Sequence, residues 1–511
     1  MTAAAPRVNR RQAWYALWLL ALINLLNYLD RNVIFALFEP IKLDLGLSDT
    51  QLGWLGSAYV LVFSLAALPF GVLSDVRSRR GVIAGGVALW SAFTVFSGLV
   101  RSYVQLFLCR AAVGVGEAAF GPASASLTAD YFPGKDRASA MAVLNAGVPL
   151  GGVLGLLLGG WLEHLYGWRV AFMAVGLPGF LCAVLVMRLV DPTRIEESVS
   201  VRGLLRDLGV GTLSVARTFF ESIVATLLGL LAAWVLHARF GADSAADAAA
   251  FGAIVALGLV LNIARWVRMA RRGPRVASPW AQRLEGAVAD LAQAVRVVLH
   301  TPTLVYLFVS GAMISFGLNG LVGWGPTLMT RTFNLSAAES ATMLGTWGLI
   351  AGVSGTLTGG LVADWMARFT RRSRVLTVAA GMCLGAPIAI WLLVLQDLRY
   401  FVPMFALAFF FLSWYNGPQM AVLFDVVPAR IGATVGGAYL LFIHLAGDAI
   451  AFPLVGALSD QMGLGRAVLV LPIVSLVGGI VVLGAMPTVV RDMDRVRAED
   501  PATLPSEGAA G

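Results

Sequence analysis

The chain has 511 residues, 58% of them hydrophobic and only 13% charged. That balance excludes an ordinary soluble protein, and the length leaves room for a dozen membrane spans of about 20 residues each. The net charge of +8 would suit a nucleic-acid partner, but the placement of the charges rejects one.

With a cytoplasmic N-terminus and alternating spans, 28 of the 37 Lys and Arg fall in cytoplasmic segments, seven in external loops, and two, Arg31 and Arg110, inside spans. This is the positive-inside bias of a multi-pass membrane protein. It places both termini in the cytoplasm (of the inner membrane, for a bacterial cell), with basic loops facing anionic lipid head groups.

In chain order, Arg7, Arg10 and Arg11 precede an apolar run as in a signal peptide. The run is too long and lacks a small-residue cleavage pattern, so a retained first helix is expected. Runs free of Asp, Glu, Lys and Arg cover 12–29, 50–74, 81–100, 138–162 and 170–187, then 297–330, 340–363, 375–396, 401–424 and 467–490. Each is long enough to cross the roughly 30 Å hydrocarbon layer as a helix. The expected fold class is an all-α polytopic membrane protein.

Four parts are expected: a six-helix bundle over 1–192, a cytoplasmic linker over 193–300, a second six-helix bundle over 301–490, and a cytoplasmic tail over 491–511. Within the linker, 217–239 and 248–264 read as two extra helices joined by an external loop, for 14 spans in all. They must enter as a pair, because one extra span would invert the charge bias of the second half. The other reading makes them buried cytoplasmic helices. Over 280–300, Leu284, Val288, Leu291, Val295 and Val298 share one face, as in an interfacial amphipathic helix or a linker helix packed on loops. Cys109, Cys182 and Cys383 lie in apolar segments, and their odd number argues against disulfides.

Four ionisable residues interrupt the apolar segments: Asp30, Arg31, Arg110 and Glu117. Charge near a bilayer centre costs at least several kcal/mol, so such residues usually line a polar cavity and carry function; the alternative is a static ion pair pinning two helices. Asn24, Asn27, Tyr28 and Arg31 form one stripe on the first helix, with Asp30 at its edge. Arg110 and Glu117 are seven apart, on one helix face and about 10 Å apart along the axis. Gly114 and Gly116 between them let a neighbouring helix or a ligand approach closely.

Two echoes relate the halves. Gly71, Asp75, Arg77, Arg79 and Arg80 close one span as Gly360, Asp364, Arg368, Arg371 and Arg372 close another. Asp130-Tyr-Phe-Pro133 matches Asp425-Val-Val-Pro428. Parallel six-helix repeats suit a transporter with a central pathway.

The doubled loop motif, with Asn27-Tyr28-Leu29-Asp30-Arg31, resembles the major facilitator superfamily. Arg110-Ala-Ala-Val-Gly114-Val-Gly116-Glu117-Ala118, Val148-Pro149-Leu-Gly151-Gly152 and Gly167-Trp168-Arg169 resemble its spinster-like branch. The first half carries most of this likeness; the inserted pair departs from the branch's twelve-helix pattern. Anion:cation symporters of the superfamily are similar in the first and fourth spans. The resemblance implies two six-helix bundles and a lysophospholipid or sphingosine-type amphiphile, or, from the symporters, a small organic or sugar acid. It also implies a cytoplasmic gate at Gly71, Asp75 and Asp364; Arg79 and Arg80 belong to the gate or only orient the chain.

In the second half, Asn319 and Trp324 mark the seventh span of the core. Ser413, Trp414, Tyr415, Asn416 and Gln419 crowd the tenth. His444 and Asp448, four apart on the eleventh, form a possible proton relay or a satisfied buried contact. No His-Glu-x-x-His, nucleophile elbow or Lys-bearing phosphate loop occurs, so neither an enzyme nor a cofactor is expected. A membrane-embedded lipid enzyme would have only His444 and Asp448 to offer. The expectation is a monomeric secondary transporter working by alternating access and coupled to protons. Asp30 and Glu117 are its protonation sites. Arg31, Arg110, Asn27, Tyr28, Asn319, Tyr415 and Asn416 serve as substrate or counter-charge residues.

Overall fold

The computed structural model describes residues 9–192 and 279–499, with isolated positions between 220 and 268. All elements among the described residues are helical. Twelve helices there are long and apolar enough to cross a membrane. They are α1 Arg10–Ala36, α2 Asp49–Ser74, α3 Arg79–Ser97, α4 Tyr103–Tyr131, α5 Ser139–Tyr166 and α6 Trp168–Val186. Then come α7 Pro302–Phe333, α8 Ala337–Met366, α9 Ser373–Leu395, α10 Leu398–Asp425, α11 Ile431–Met462 and α12 Leu464–Leu483. The expected extra helices over 217–239 and 248–264 lie outside the described residues apart from isolated helical positions, where Arg265 pairs with Glu221 at 3.1 Å.

The chain divides into two compact units. One holds Met1–Ala289, Val322–Thr346 and Phe452–Ala467; the other holds Asp290–Leu321, Trp347–Ala451 and Val468–Gly511. In the first, α1 packs on α5, α2 on α4, and α3 on both α4 and α6. Leu17, Leu20 and Ile23 recur at helical spacing on α1 and are fully buried. In the second, α9 packs on α10 and α12.

Local sequence explains where the helices begin and break. Ser48 caps α2 and exchanges hydrogen bonds with Gln51, a capping box that satisfies two orphan donors. α4 is interrupted at Ala119, three residues before Pro122, and α10 by a 3-10 turn at Ser413–Tyr415, three before Pro418. Proline lacks the N–H and crowds the carbonyl one turn back, which accounts for both breaks. α11 carries a π-helical turn over His444–Asp448.

The helix Pro279–His300 buries Val288, Leu291 and Val298, as expected for the apolar face of a helix packed on protein. Beyond α12, the helix Val489–Glu499 is tied back within its own unit. Asp492 accepts from the Thr303 hydroxyl at 2.7 Å, and Arg371 pairs with Asp494 at 2.6 Å, holding that carboxyl below its ordinary range.

Candidate functional site

The four charges inside the first unit form two crossed pairs. Arg110 Nη1 lies 3.2 Å from Asp30, joining α4 to α1, and both side chains are sealed at 1% and 2% exposure. The Thr94 hydroxyl of α3 donates to the other Asp30 oxygen, so both oxygens are partnered. Asp30, expected at the edge of the α1 stripe, is therefore buried among three helices. Arg31 points the other way and meets Glu117 at 3.6 Å, with Arg31 17% exposed and Glu117 fully buried. That distance exceeds a hydrogen bond, and the Tyr59 hydroxyl is the polar group beside the Glu117 carboxyl.

The Arg31 guanidinium sits over the rings of Tyr28, Tyr59 and Phe63 at 4.4, 4.7 and 4.8 Å. Such stacking favours arginine over lysine and leaves the edges of the guanidinium for an anionic partner. The glycines of α4 permit this density. A Cβ on Gly116 would lie 2.7 Å from the Trp90 nitrogen, and one on Gly114 would lie 2.7 Å from the Tyr59 carbonyl oxygen. Their role in helix packing is thus direct. Asn27 is buried, and Asn24 donates to the Leu144 carbonyl at 2.9 Å, a helix-to-helix tie from α1 to α5.

The loop motifs have a physical basis in each unit. Arg79 at the start of α3 pairs with Asp130 at the end of α4 at 2.6 Å. In the second unit Arg374, at the start of α9, pairs with Asp425 at the end of α10. Arg80 also donates to the Leu189 carbonyl, and Asp191 accepts from the Arg79 backbone N–H. Gly71 packs on Pro122, and Asp364 is exposed. The Asp75 side chain lies outside the described residues.

In the second unit Asp448 accepts from Ser315 at 2.5 Å, Asn319 at 2.9 Å and His444 at 2.6 Å. Tyr415 is half-buried, and exposed Asn416 donates to Thr356 at 3.0 Å. Gln419 donates to the Leu307 carbonyl.

A further polar cluster in the first unit escaped the sequence reading. Asp49 accepts from Lys42 at 2.6 Å, from two Arg331 nitrogens at 2.7 and 2.8 Å, and from Ser459. Arg331 also reaches Glu39 at 2.7 Å. Asp460 accepts from the backbone N–H groups of Asp49 and Thr50, so it caps α2 from a distant part of the chain. Beside it, Phe35 stacks on Phe452 and Phe38 tilts against Trp324, whose indole N–H donates to the Phe452 carbonyl. These residues stand at helix ends, where charge and aromatics look ordinary. Their only local signal was the Ser48–Gln51 box.

A helical membrane protein with ion pairs buried in its spans has the makings of a transporter, and the comparisons identify which kind. A family model of the Major Facilitator Superfamily matches residues 20–220, and one of the Organic Anion Transporter Polypeptide family matches 270–395. An MFS-type efflux pump of Mycolicibacterium smegmatis is 27% identical over 94% of both chains. Protein spinster of Drosophila melanogaster is 28% identical over 44% of this chain. "Probable galactarate/D-glucarate transporter GudP" of Bacillus subtilis is 30% identical over 37%. The last two matches span only 38% and 43% of those relatives' lengths. In fold, the chain is similar to an inward-facing bacterial homolog of the lysosomal transporter spinster, with a TM-score of 0.70 and 22% identity over 95% of this chain and 99% of that one. The chain is a multi-pass membrane protein similar to transporters of the major facilitator superfamily, and within it to the spinster-like branch.

Proposed function

We propose that the protein is a proton-coupled secondary transporter of an amphiphile with an anionic or zwitterionic head, of the lysophospholipid or sphingosine type. It works by alternating access, with both termini cytoplasmic. The carrying observation is the difference between its two buried carboxylates. Asp30 has a donor on each oxygen, Thr94 on one and Arg110, its counter-charge, on the other. Glu117 has Arg31 at 3.6 Å and the Tyr59 phenol beside it, with no second charged donor in hydrogen-bonding contact. A buried carboxylate facing a single arginine can exchange that ion pair for a proton when the arginine is drawn to another anion.

This arrangement couples proton to anion. Arg31 neutralises either the Glu117 carboxylate or an incoming head group, so protonating Glu117 frees Arg31 for the substrate. Proton and substrate then bind cooperatively, each strengthening the other by the same factor. The rings around Arg31 supply apolar surface beside the charge, which suits an amphiphile, and the spinster likeness supports the same class. A small sugar acid is the second reading, favoured by the 30% identity to the galactarate/D-glucarate transporter.

In proteoliposomes, a pH gradient is expected to drive lysophospholipid transport, and Glu117→Gln to abolish that response while leaving exchange of substrate across the bilayer. Arg31→Ala should reduce both by at least about tenfold, the effect of losing a charged hydrogen bond of about 1.5–3 kcal/mol. Gradient-driven glucarate uptake with no lysophospholipid transport would replace the lipid by the acid. Transport indifferent to the gradient would leave a uniporter.

A further inference from the structure

The second unit carries a buried acidic cluster that the coupling at Glu117 does not use. Asp448 is almost wholly enclosed, its side chain 7% exposed against 29% for His444. Donors converge on it from two helices: Ser315 and Asn319 from α7 reach one carboxylate oxygen, and His444 Nδ1 reaches the other. Asn319 also donates to Ser315 at 3.1 Å, closing a small network. The crossing is tight, since a Cβ on Gly447 would lie 2.6 Å from the Ala312 carbonyl oxygen. It coincides with the π-helical turn His444–Asp448. Such turns cost hydrogen-bond geometry and recur at functional sites.

We propose that His444 and Asp448 form a second proton-binding site, separate from the Glu117–Arg31 pair. An imidazole donating through Nδ1 to a carboxylate keeps its lone pair on Nε2, the nitrogen that accepts the next proton. The fixed carboxylate then stabilises the imidazolium, and Ser315 and Asn319 hold that carboxylate in place. Among the described residues, the Tyr415 phenol of α10 lies beside Asp448, and the Tyr439 phenol of α11 beyond Tyr415. Neither carries charge near neutral pH, so the pair changes net charge through the imidazole alone. Protonation puts a positive charge in the second unit, where the polar residues of α7 and α11 would otherwise carry the single negative charge of Asp448.

The test reads the proton directly and needs no transport assay. The chain has four histidines, and isotope-labelled imidazole resonances of the purified protein are followed by NMR, with the His444 signal assigned by its loss in His444→Gln. That signal is expected to move with pH across the range in which the protein stays folded, and to do so equally in Glu117→Gln. Asp448→Asn keeps an acceptor oxygen for Ser315 but removes the charge; it is expected to change the proton affinity of His444 at least about tenfold. A His444 signal that is constant across this range, or that titrates identically in Asp448→Asn, would overturn the site and leave a structural brace. Because the Glu117→Gln protein is measured alongside, failure here is distinguishable from failure of coupling at Glu117.

Discussion

Arg110→Leu is expected to destabilise the protein by about 3–5 kcal/mol, the usual result of removing one partner from a buried ion pair. The side chains of Arg110 and Asp30 are 1% and 2% exposed, so water cannot replace the lost partner. The guanidinium also donates to the Asp30 backbone carbonyl at 3.4 Å and lies near the Phe172 ring, and leucine replaces neither contact. Removing both charges should cost far less, because no orphaned carboxylate remains. The combination Asp30→Asn with Arg110→Leu is therefore expected to recover more than half of the loss, since the amide oxygen introduced beside Thr94 still accepts from its hydroxyl. Unfolding in detergent by heat and by denaturant measures both variants. An Arg110→Leu protein as stable as the parent would show that the pair does not hold α1 to α4.

The second large effect is expected at the Asp49 cluster. Asp49→Ala removes the acceptor of Lys42, Arg331 and Ser459 at once. Hydrogen bonds to charged groups contribute about 1.5–3 kcal/mol each, and each 1.4 kcal/mol is a tenfold change in population. The freed groups are partly rehydrated, so the net loss is equivalent to about two such bonds at the low end of that range. Losing the cluster should then raise the population in which this part of the first unit opens by about a hundredfold. A cysteine at Gly56 reports on it, because its Cβ would touch the rings of Phe35 and Phe452 at 3.3 Å, inside the aromatic layer. In a protein lacking its three native cysteines, the thiol should react with a polar reagent in detergent about a hundredfold faster once Asp49 is alanine. An unchanged rate would mean that the aromatic layer alone keeps the region shut.

The echo between the loop motifs was legible in the sequence, and its physical meaning emerged in the fold. Asp130 and Asp425 were matched by their shared Asp-x-x-Pro pattern. Each proves to be the acceptor for an arginine at the start of the helix that follows its unit's basic loop, Arg79 or Arg374. The matched arginine in the second half is thus Arg374, beyond the Arg368, Arg371 and Arg372 of the loop pattern. Loop residues count along the chain, whereas the pair is chosen by which side chain reaches the end of α4 or α10. Arg79 and Arg80 hold the end of the first-half motif to Asp130 and to the Leu189 carbonyl.

The sequence by itself determined the membrane-spanning character, the twelve apolar spans, and the four charges placed inside the first and fourth of them. These follow from composition and from the cost of placing charge in hydrocarbon, which are local quantities. It also determined that Arg110 and Glu117 share a face, since seven residues make nearly two turns. Only the tertiary structure decided the partners. Asp30 and Arg31 are adjacent, so their side chains leave the helix about 100° apart and cannot serve one site. One turns toward Thr94 and Arg110, the other toward Tyr59 and Glu117. The Asp49 cluster lay further out of reach, because its partners Arg331 and Ser459 stand 282 and 410 residues away in the chain. No periodicity or spacing records such a pairing; it exists only where folding brings the ends of separate helices together.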